Sequence, residues 1–421
     1  MSTHQVVRWT EADEARSARW RSESGAPPPR RVVVADDRLT ADAAYRLVSE
    51  GTALLWRGDF HGARQLLAAM ARRADRGPRR RRGSRGPAPT GREPVRTTPM
   101  GMPPTGTALT GTAPTRTASG DADIDVDRAQ AFHLHRKAQA ERARRLGLLL
   151  VPLDAGHTIP LRRAPDVREA CAQAYGPAEE PSVLSLRELT GLIGAYEWRR
   201  KGVPVPALGG DRIHPHYGVF SPARGEYVDL VARAPLPADR GLAFDIGTGT
   251  GVLAAVLARR GIGRVVATDQ DPRALRCARE NLARLVPDGR VEVVEADLFP
   301  AGRAPLVVCN PPWVPARPSS PVEYAVYDPG GRMLHGFLDG LAAHLAPGGE
   351  GWLVLSDLAE HLGLRSRAEL LAAFDRAELA VVDRVDVRPR HPRAADPADP
   401  LHRARAAEVT SLWRLTPRGG R

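Results

Sequence analysis

The strongest constraint on this chain is a run of alternating glycines set between an apolar strand and an amphipathic helix. Leu242 to Ile246 is a short apolar stretch closing in Asp245-Ile246-Gly247-Thr248-Gly249-Thr250-Gly251, and a helical pattern follows to Arg260. A strand that passes straight into a helix opens a βαβ unit, and such units build parallel sheets covered by helices. Glycines here allow a tight turn and let backbone approach a ligand closely, while the helix N-terminus presents unpaired N–H groups. The spacing suits a nucleotide crevice at the carboxyl end of a strand, and it equally suits a plain strand-to-helix turn.

The same alternation fills the rest of the chain. Helix Gly251 to Arg260 leads to strand Arg264 to Thr268, helix Pro272 to Leu285, and strands Val291 to Ala296 and Leu306 to Cys309. A helix around Leu334 to Leu345, strand Trp352 to Leu355 and helix Ser366 to Ala377 follow, then strands Ala380 to Val387 and Val409 to Leu415. The fold class is therefore α/β with seven strands. The last two have no evident helix between them and can pair antiparallel, whereas the earlier ones need helical crossovers.

Upstream the pattern is helical. Apolar residues recur at helical spacing from Thr40 to Arg73, as in Ala44, Leu47 and Val48 and then Leu66, Leu67 and Met70, which predicts a helical hairpin. Further helical patterns cover Arg128 to Leu146 and Ser185 to Arg200. Between them, Arg76 to Gly120 holds the Arg79 to Arg82 run and then Pro, Gly and Thr with almost no bulky apolar residues. Such a segment buries too little surface to offset its ordering entropy, so it reads as a disordered tether, or an arm for RNA or DNA. The expected organisation is a flexible N-terminus at 1–37, a helical segment at 38–75, a linker at 76–122, a helical domain at 123–213 and an α/β domain at 214–421.

Composition excludes several classes. The longest apolar runs, such as Leu148 to Val151, fall far short of a bilayer span, and Met1 to Trp20 lacks the apolar centre of a secretory signal. Cys171, Cys277 and Cys309 are widely separated, without disulfide-framework or zinc spacing, so a cytoplasmic protein with reduced thiols is expected. The net charge of +12 invites a nucleic-acid reading, but Lys137 and Lys201 are the only lysines, and Arg with abundant Ala, Gly and Pro is what a GC-rich coding sequence gives. His214-Pro215-His216 has no nearby third ligand and reads as turn or cleft residues rather than a metal site. Asp396 to Arg405 is either a border of the substrate entrance or a plain surface loop.

The chemistry sits at three further strand ends. Val265-Val266-Ala267-Thr268-Asp269 ends in an acid about twenty residues past the glycines, placed to accept hydrogen bonds from ribose hydroxyls. Asp245 before the first glycine would repel a pyrophosphate but suits a ligand with a positive amino group. Asp297, in Glu295-Ala296-Asp297-Leu298-Phe299, is placed for an adenine amino group, or is a turn aspartate. Val307-Val308-Cys309 ends in Asn310-Pro311-Pro312-Trp313. Two prolines remove both N–H donors and leave acceptors, so Asn310 and the Pro311 carbonyl can take the hydrogens of a substrate amino or amide nitrogen, with Trp313 stacking on a planar group.

In that order and spacing, Asp245 to Gly251, Ala267 to Asp269, Asp297 to Phe299 and Asn310 to Trp313 resemble class I S-adenosylmethionine-dependent methyltransferases, whose domain is a Rossmann-like seven-stranded sheet. The Asn-Pro-Pro-aromatic group is similar to the branch that methylates planar nitrogens, including release-factor glutamine and N6-adenine methyltransferases. Tyr327-Asp328-Pro329 with Phe337 to Leu341, and Tyr217 to Pro222 with Gly225-Glu226-Tyr227, add to the likeness with the glutamine enzymes. The resemblance implies that Asp245, Gly247, Thr248, Gly249 and Gly251 hold the methionine end of S-adenosyl-L-methionine, Asp269 the ribose, and Asp297 with the Leu298 backbone the adenine. Asn310, Pro311, Pro312 and Trp313 would form the catalytic group around the target nitrogen, with no metal. It implies a macromolecular acceptor: a protein side-chain amide first, an adenine or guanine amino group in RNA or DNA as the alternative. A cofactor-binding scaffold without catalysis is the reading of another class, and a nicotinamide dehydrogenase a more distant one. Trp313 stands where Tyr or Phe is commoner, Gly336-Phe337-Leu338 replaces a Gly-Gly, and the long N-terminal region is unlike the short helical domain of the glutamine enzymes.

Overall fold

The computed structural model describes residues 5–75, 118–318, 323, 325–389, 396–397 and 399–419. It contains two large sheets. The first is six-stranded and built from β1 (Val6–Glu11), β2 (Glu14–Arg21), β3 (Arg31–Ala35), β4 (Thr52–Trp56), β5 (Leu149–Leu153) and β6 (Ser182–Ser185), in the order β1-β2-β6-β5-β4-β3. Its pairs are antiparallel at β1/β2 and β5/β6 and parallel elsewhere. Helices α1 (Ala41–Ser49), α2 (Phe60–Asp75), α3 (Ala118–Leu146), α4 (Arg168–Tyr175) and α5 (Leu186–Lys201) accompany it.

This sheet corrects the expectation of a mainly helical N-terminal region. Residues 6–35, expected to be flexible, form three strands, and β4 lies inside the predicted helical hairpin with all five residues buried. The physical reasons differ. A strand buried on both faces shows no alternation and cannot be told from a helical segment by period. The β1/β2 hairpin turns at Ala12 and Asp13 with φ of 51° and 63°, a conformation usually signalled by Asn-Gly or Asp-Gly. The linker expected at 76–122 falls almost wholly outside the described residues; from 118 onward the chain is the start of α3.

A small hairpin of β7 (Val203–Pro204) and β8 (Arg212–Ile213), then α6 (Glu226–Arg233), leads into the second sheet. Its strands are β9 (Leu242–Ile246), β10 (Arg264–Asp269), β11 (Val291–Glu295), β12 (Ala304–Cys309), β13 (Leu345–Ser356), β14 (Leu379–Val387) and β15 (Thr410–Pro417). The order is β11-β10-β9-β12-β13-β15-β14, parallel through β13 and antiparallel at β15. This is the expected seven-stranded α/β arrangement, with the last two strands paired antiparallel. The intervening helices are α7 (Val252–Arg259), α8 (Pro272–Leu285), α9 (Arg332–His344), α10 (Leu358–His361), α11 (Arg367–Arg376) and α12 (His402–Ala407).

Alternation along the strands feeds two cores. Ala243, Ala267 and Val308 pack with α7 on one face, while Phe244, Val266 and Val307 pack with α9 and α11 on the other. Phe244 is 1% exposed; truncating such a residue to Ala costs about 3–5 kcal/mol. Strand order reverses between β9 and β12. That switch point opens a crevice outside the carboxyl ends, where ligands of such sheets sit. Among the described residues, no helix is long and apolar enough to cross a membrane.

Candidate functional site

Strand register brings the motif residues to one edge. Asp245 lies laterally between Ala267 on β10 and Val308 on β12, so Asp269 and Asn310 each stand two residues further toward the same carboxyl end. Neighbouring strands are about 4.8 Å apart, which sets β10 and β12 about 10 Å apart across the crevice, a nucleoside's width.

The glycine loop is organised from beneath by Asp245, which is 1% exposed. Its Oδ2 accepts the Thr248 hydroxyl at 2.6 Å and the Ala254 N–H at 3.0 Å, tying loop to helix α7. Burial pushes its carboxyl up to about 6, against the two hydrogen bonds that favour the charged form. Gly247, Gly249 and Gly251 have φ of 69°, 56° and 81°, the left-handed region that favours glycine. A Cβ on Gly247 would stand 2.3 Å from Met333 Cε, and one on Gly251 3.0 Å from Leu282, whereas one on Gly249 meets nothing within 4 Å. The open side of the loop is therefore at Gly249. Its N–H donates to Asp269 Oδ2 at 3.0 Å, and Asp271 N–H donates to Oδ1 at 3.0 Å. Burial raises the Asp269 carboxyl as well.

Asp297 is exposed and paired with Arg332 at 3.1 Å, both side chains about 70% accessible, so the pair is worth little and exchanges readily. The next residue is more constrained. Leu298 has φ of 77°, and its carbonyl accepts the Thr268 hydroxyl at 2.5 Å. Helix α9 makes room for this turn with two glycines one helical turn apart: a Cβ on Gly336 would lie 2.7 Å from Leu298 Cδ1, and one on Gly340 2.5 Å from Phe299.

On the other side of the crevice, Trp313 Nε1 donates to Asn310 Oδ1 at 2.9 Å. An indole N–H is only a donor, so this contact fixes which amide atom is the oxygen and leaves one of its lone pairs for a second donor. Trp313 is half-buried and packs against both cores, so it orients Asn310, where the sequence suggested stacking. The loop beyond it closes on itself through a Val314–Tyr327 bridge and the Asp328 N–H to Val314 carbonyl bond of 2.9 Å. Asp328 Oδ2 then accepts the Met333 N–H at 2.8 Å, at the start of α9.

Several contributors had no signal in the sequence. Asn281 on α8, 2% exposed, accepts the His214 N–H at 2.9 Å and donates to the Thr250 carbonyl at 3.2 Å, pinning the glycine loop to the incoming chain. Glu408, also 2% exposed, accepts the hydroxyl of Ser356 at the end of β13. The N-terminal unit reaches both sides of the crevice. Glu23 pairs with Arg273, in the first turn of α8, at 2.7 Å. Arg136 on α3 binds Glu323 with two bonds of 3.0 Å, donates to the Arg317 carbonyl at 2.9 Å and stacks 4.2 Å over Tyr327. His214 and His216 are occupied by the Arg199 carbonyl at 2.6 Å and by Glu280 at 2.8 Å.

A glycine loop whose N–H groups at Thr248, Gly249 and Gly251 are already taken, beside a buried and a half-buried carboxylate, suits hydroxyls and an ammonium and disfavours pyrophosphate, so the residues present fit a sulfonium nucleoside. Comparison with known proteins agrees with that chemistry. Residues 211–383 match the family model "Methyltransferase small domain". A ribosomal protein L11 methyltransferase of Bordetella bronchiseptica is 34% identical over 219 residues, covering 49% of this chain and 68% of that protein. One from Pelotomaculum thermopropionicum is 38% identical over 147 residues, and a release factor glutamine methyltransferase of Cereibacter sphaeroides 34% identical over 169. The matches cover 34% and 37% of this chain, and the chain spans 40% and 59% of the length of those two relatives. The chain belongs to the class I S-adenosylmethionine-dependent methyltransferases. Their cofactor is S-adenosyl-L-methionine.

Proposed function

We infer that the protein methylates a planar nitrogen on a protein, a side-chain amide of the glutamine type. The observation that carries this reading is the oriented Asn310 carbonyl oxygen, held at 2.9 Å by a donor-only indole beside two prolines without N–H groups. When bound, S-adenosyl-L-methionine supplies a methyl group on a positively charged sulfur. Asp245, Gly247, Thr248, Gly249 and Gly251 hold its methionine end, Asp269 the ribose hydroxyls, and Asp297 with the Leu298 backbone the adenine. The free lone pair of Asn310 Oδ1 and the Pro311 carbonyl accept the two amide hydrogens. That aims the nitrogen at the methyl group and stabilises the positive charge that grows on it, and one of the two held N–H protons is then lost to solvent to leave the neutral methylamide. Pro312 keeps the turn rigid, and Trp313 keeps the amide of Asn310 from rotating.

A protein acceptor is supported by the relatives, which are named for release factor glutamine and for ribosomal protein L11. A cytoplasmic location is supported by three buried free thiols. The test is incubation of cell extract with methyl-labelled S-adenosylmethionine. Label is expected in protein, on a nitrogen, and only with intact Asn310. Label in RNA or DNA overturns the protein reading, and no transfer into any fraction overturns catalysis altogether.

A further inference from the structure

A cleft of 1410 Å³ runs between the two sheets. One face of α3 lines it through His135, Arg136, Gln139, Ala140, Ala143 and Arg144, a stripe at helical spacing that continues to Gly147. At about 1.5 Å per residue, this face is roughly 18 Å long, the length of about five extended residues. One end of the stripe is Arg136, stacked on Tyr327, which bridges to Val314 immediately after Trp313. That end of the cleft is thus bordered by Glu323 and Tyr327, in the loop that follows Asn310 to Trp313.

Charge along this path is uneven. Toward the methyltransferase sheet the charges are matched: Arg136 with Glu323 at 3.0 Å and Arg405 with Asp399 at 2.9 Å. At the far end, Arg144, Arg187 and Arg30 line the same cleft and are exposed, and their guanidinium groups make no hydrogen bond or ion pair among the described residues. Glu188, beside Arg187, is taken up by the Tyr175 hydroxyl and by the Glu23 N–H at 3.0 Å. A ligand that reaches from Asn310 along α3 therefore meets a neutral stretch and then uncompensated positive charge.

We propose that this cleft receives the acceptor as an extended peptide segment carrying acidic side chains, whose carboxylates settle at Arg144, Arg187 and Arg30 several residues from the methylated amide. The proposal rests on the amide-methylation reading and names its substrate more narrowly. Trp20, Tyr217 and Tyr327 also line the cleft, but a single nucleic-acid strand would need cations along the whole path. Instead Glu323, Asp396 and Asp399 border the half nearest the site. Arg forks bind carboxylates bidentately, so a few well-spaced acids suffice.

The experiment uses the full-length protein and two synthetic peptides with a central Gln, one with Asp three to five residues to either side and the other with Lys there. Binding is read by fluorescence anisotropy and transfer by label, with oligouridylate as competitor. The acidic peptide is expected to bind at least about tenfold tighter. That preference should collapse in Arg144→Glu/Arg187→Glu while S-adenosylhomocysteine affinity, which reports an intact fold, stays unchanged. Equal binding of the two peptides, binding of neither, a preference that survives the double reversal, or displacement by oligouridylate overturns the proposal. Charge-selective binding without label would keep the cleft and overturn the amide reading; equal binding with label on both would do the reverse.

Discussion

The two walls of the crevice are built on different principles. The β9–β10 wall is held within its own sheet: Asp245 and Asp269 take backbone and hydroxyl donors from the same loop, and Asn281 fastens it from behind. The β12 wall leans on a distant part of the chain, because the loop after Trp313 is held by Arg136, which lies 187 residues from Glu323. Order on the β9–β10 wall is thus mainly local, with the N-terminal unit touching it at Glu23 and Arg273, whereas order on the β12 wall is borrowed from that unit. Substitutions on the two walls should separate in what they change.

The largest effect is expected for Asn310→Ala. Turnover should fall about 100- to 1,000-fold, the usual loss for a donor or acceptor aimed at transition-state charge, with cofactor affinity unchanged by calorimetry. Equal losses in both would break the division between the walls. Asp245→Asn tests the cost of the buried charge. The folded carboxyl titrates near 6 against an ordinary 3.8, so the folded state holds the proton more tightly, and stability is lost as pH rises from about 4 through 6. The Asn variant should lack that decline and gain up to about 3 kcal/mol on wild type at pH 7, read from denaturant midpoints. A parallel decline in both proteins would show that burial does not raise the Asp245 carboxyl.

Asp269→Ala should weaken cofactor binding by about ten- to a hundredfold, the worth of one or two hydrogen bonds to a charged group, and leave turnover at saturating cofactor nearly intact. Arg136→Ala should cost about tenfold in kcat/KM for the acceptor and nothing in cofactor affinity, because only the β12 wall loses its brace. Arg136→Lys, which keeps the charge but not the fork, should rescue only part of this. The smallest effect is expected for Trp313→Phe, a few-fold fall in kcat for the loss of one hydrogen bond. An unchanged rate would return Trp313 to packing alone.

How much of this was legible depended on where the ordering forces lie. The second sheet announces itself because each strand is a short apolar run closed by Asp, Gly or Pro, and the motif residues sit on those closures. The first sheet is silent for two reasons. In β1 and β2 the apolar face is only Val7, Trp9, Ala18 and Trp20, with Arg16 standing on it opposite Trp9, and the turn at Ala12 and Asp13 lacks glycine. In β4, β5 and β6 every residue is buried, leaving no alternation to read. Within the site, Asn310 and Asp269 follow from spacing, but the hydrogen bond that makes Trp313 an orienting residue does not. Asn281, Glu408 and Arg136 act through tertiary contacts that leave no local periodicity.

Helix α9 carries glycine at 336 and 340 where alanine would strengthen it by roughly 1 kcal/mol each. That route to heat resistance is narrow here. A methyl group at 336 meets only the end of the Leu298 side chain, whereas one at 340 would run into the Phe299 ring and press on the turn at Leu298. A more heat-resistant variant must therefore leave Gly340 in place, and α9 keeps a soft point there for as long as Phe299 packs against it.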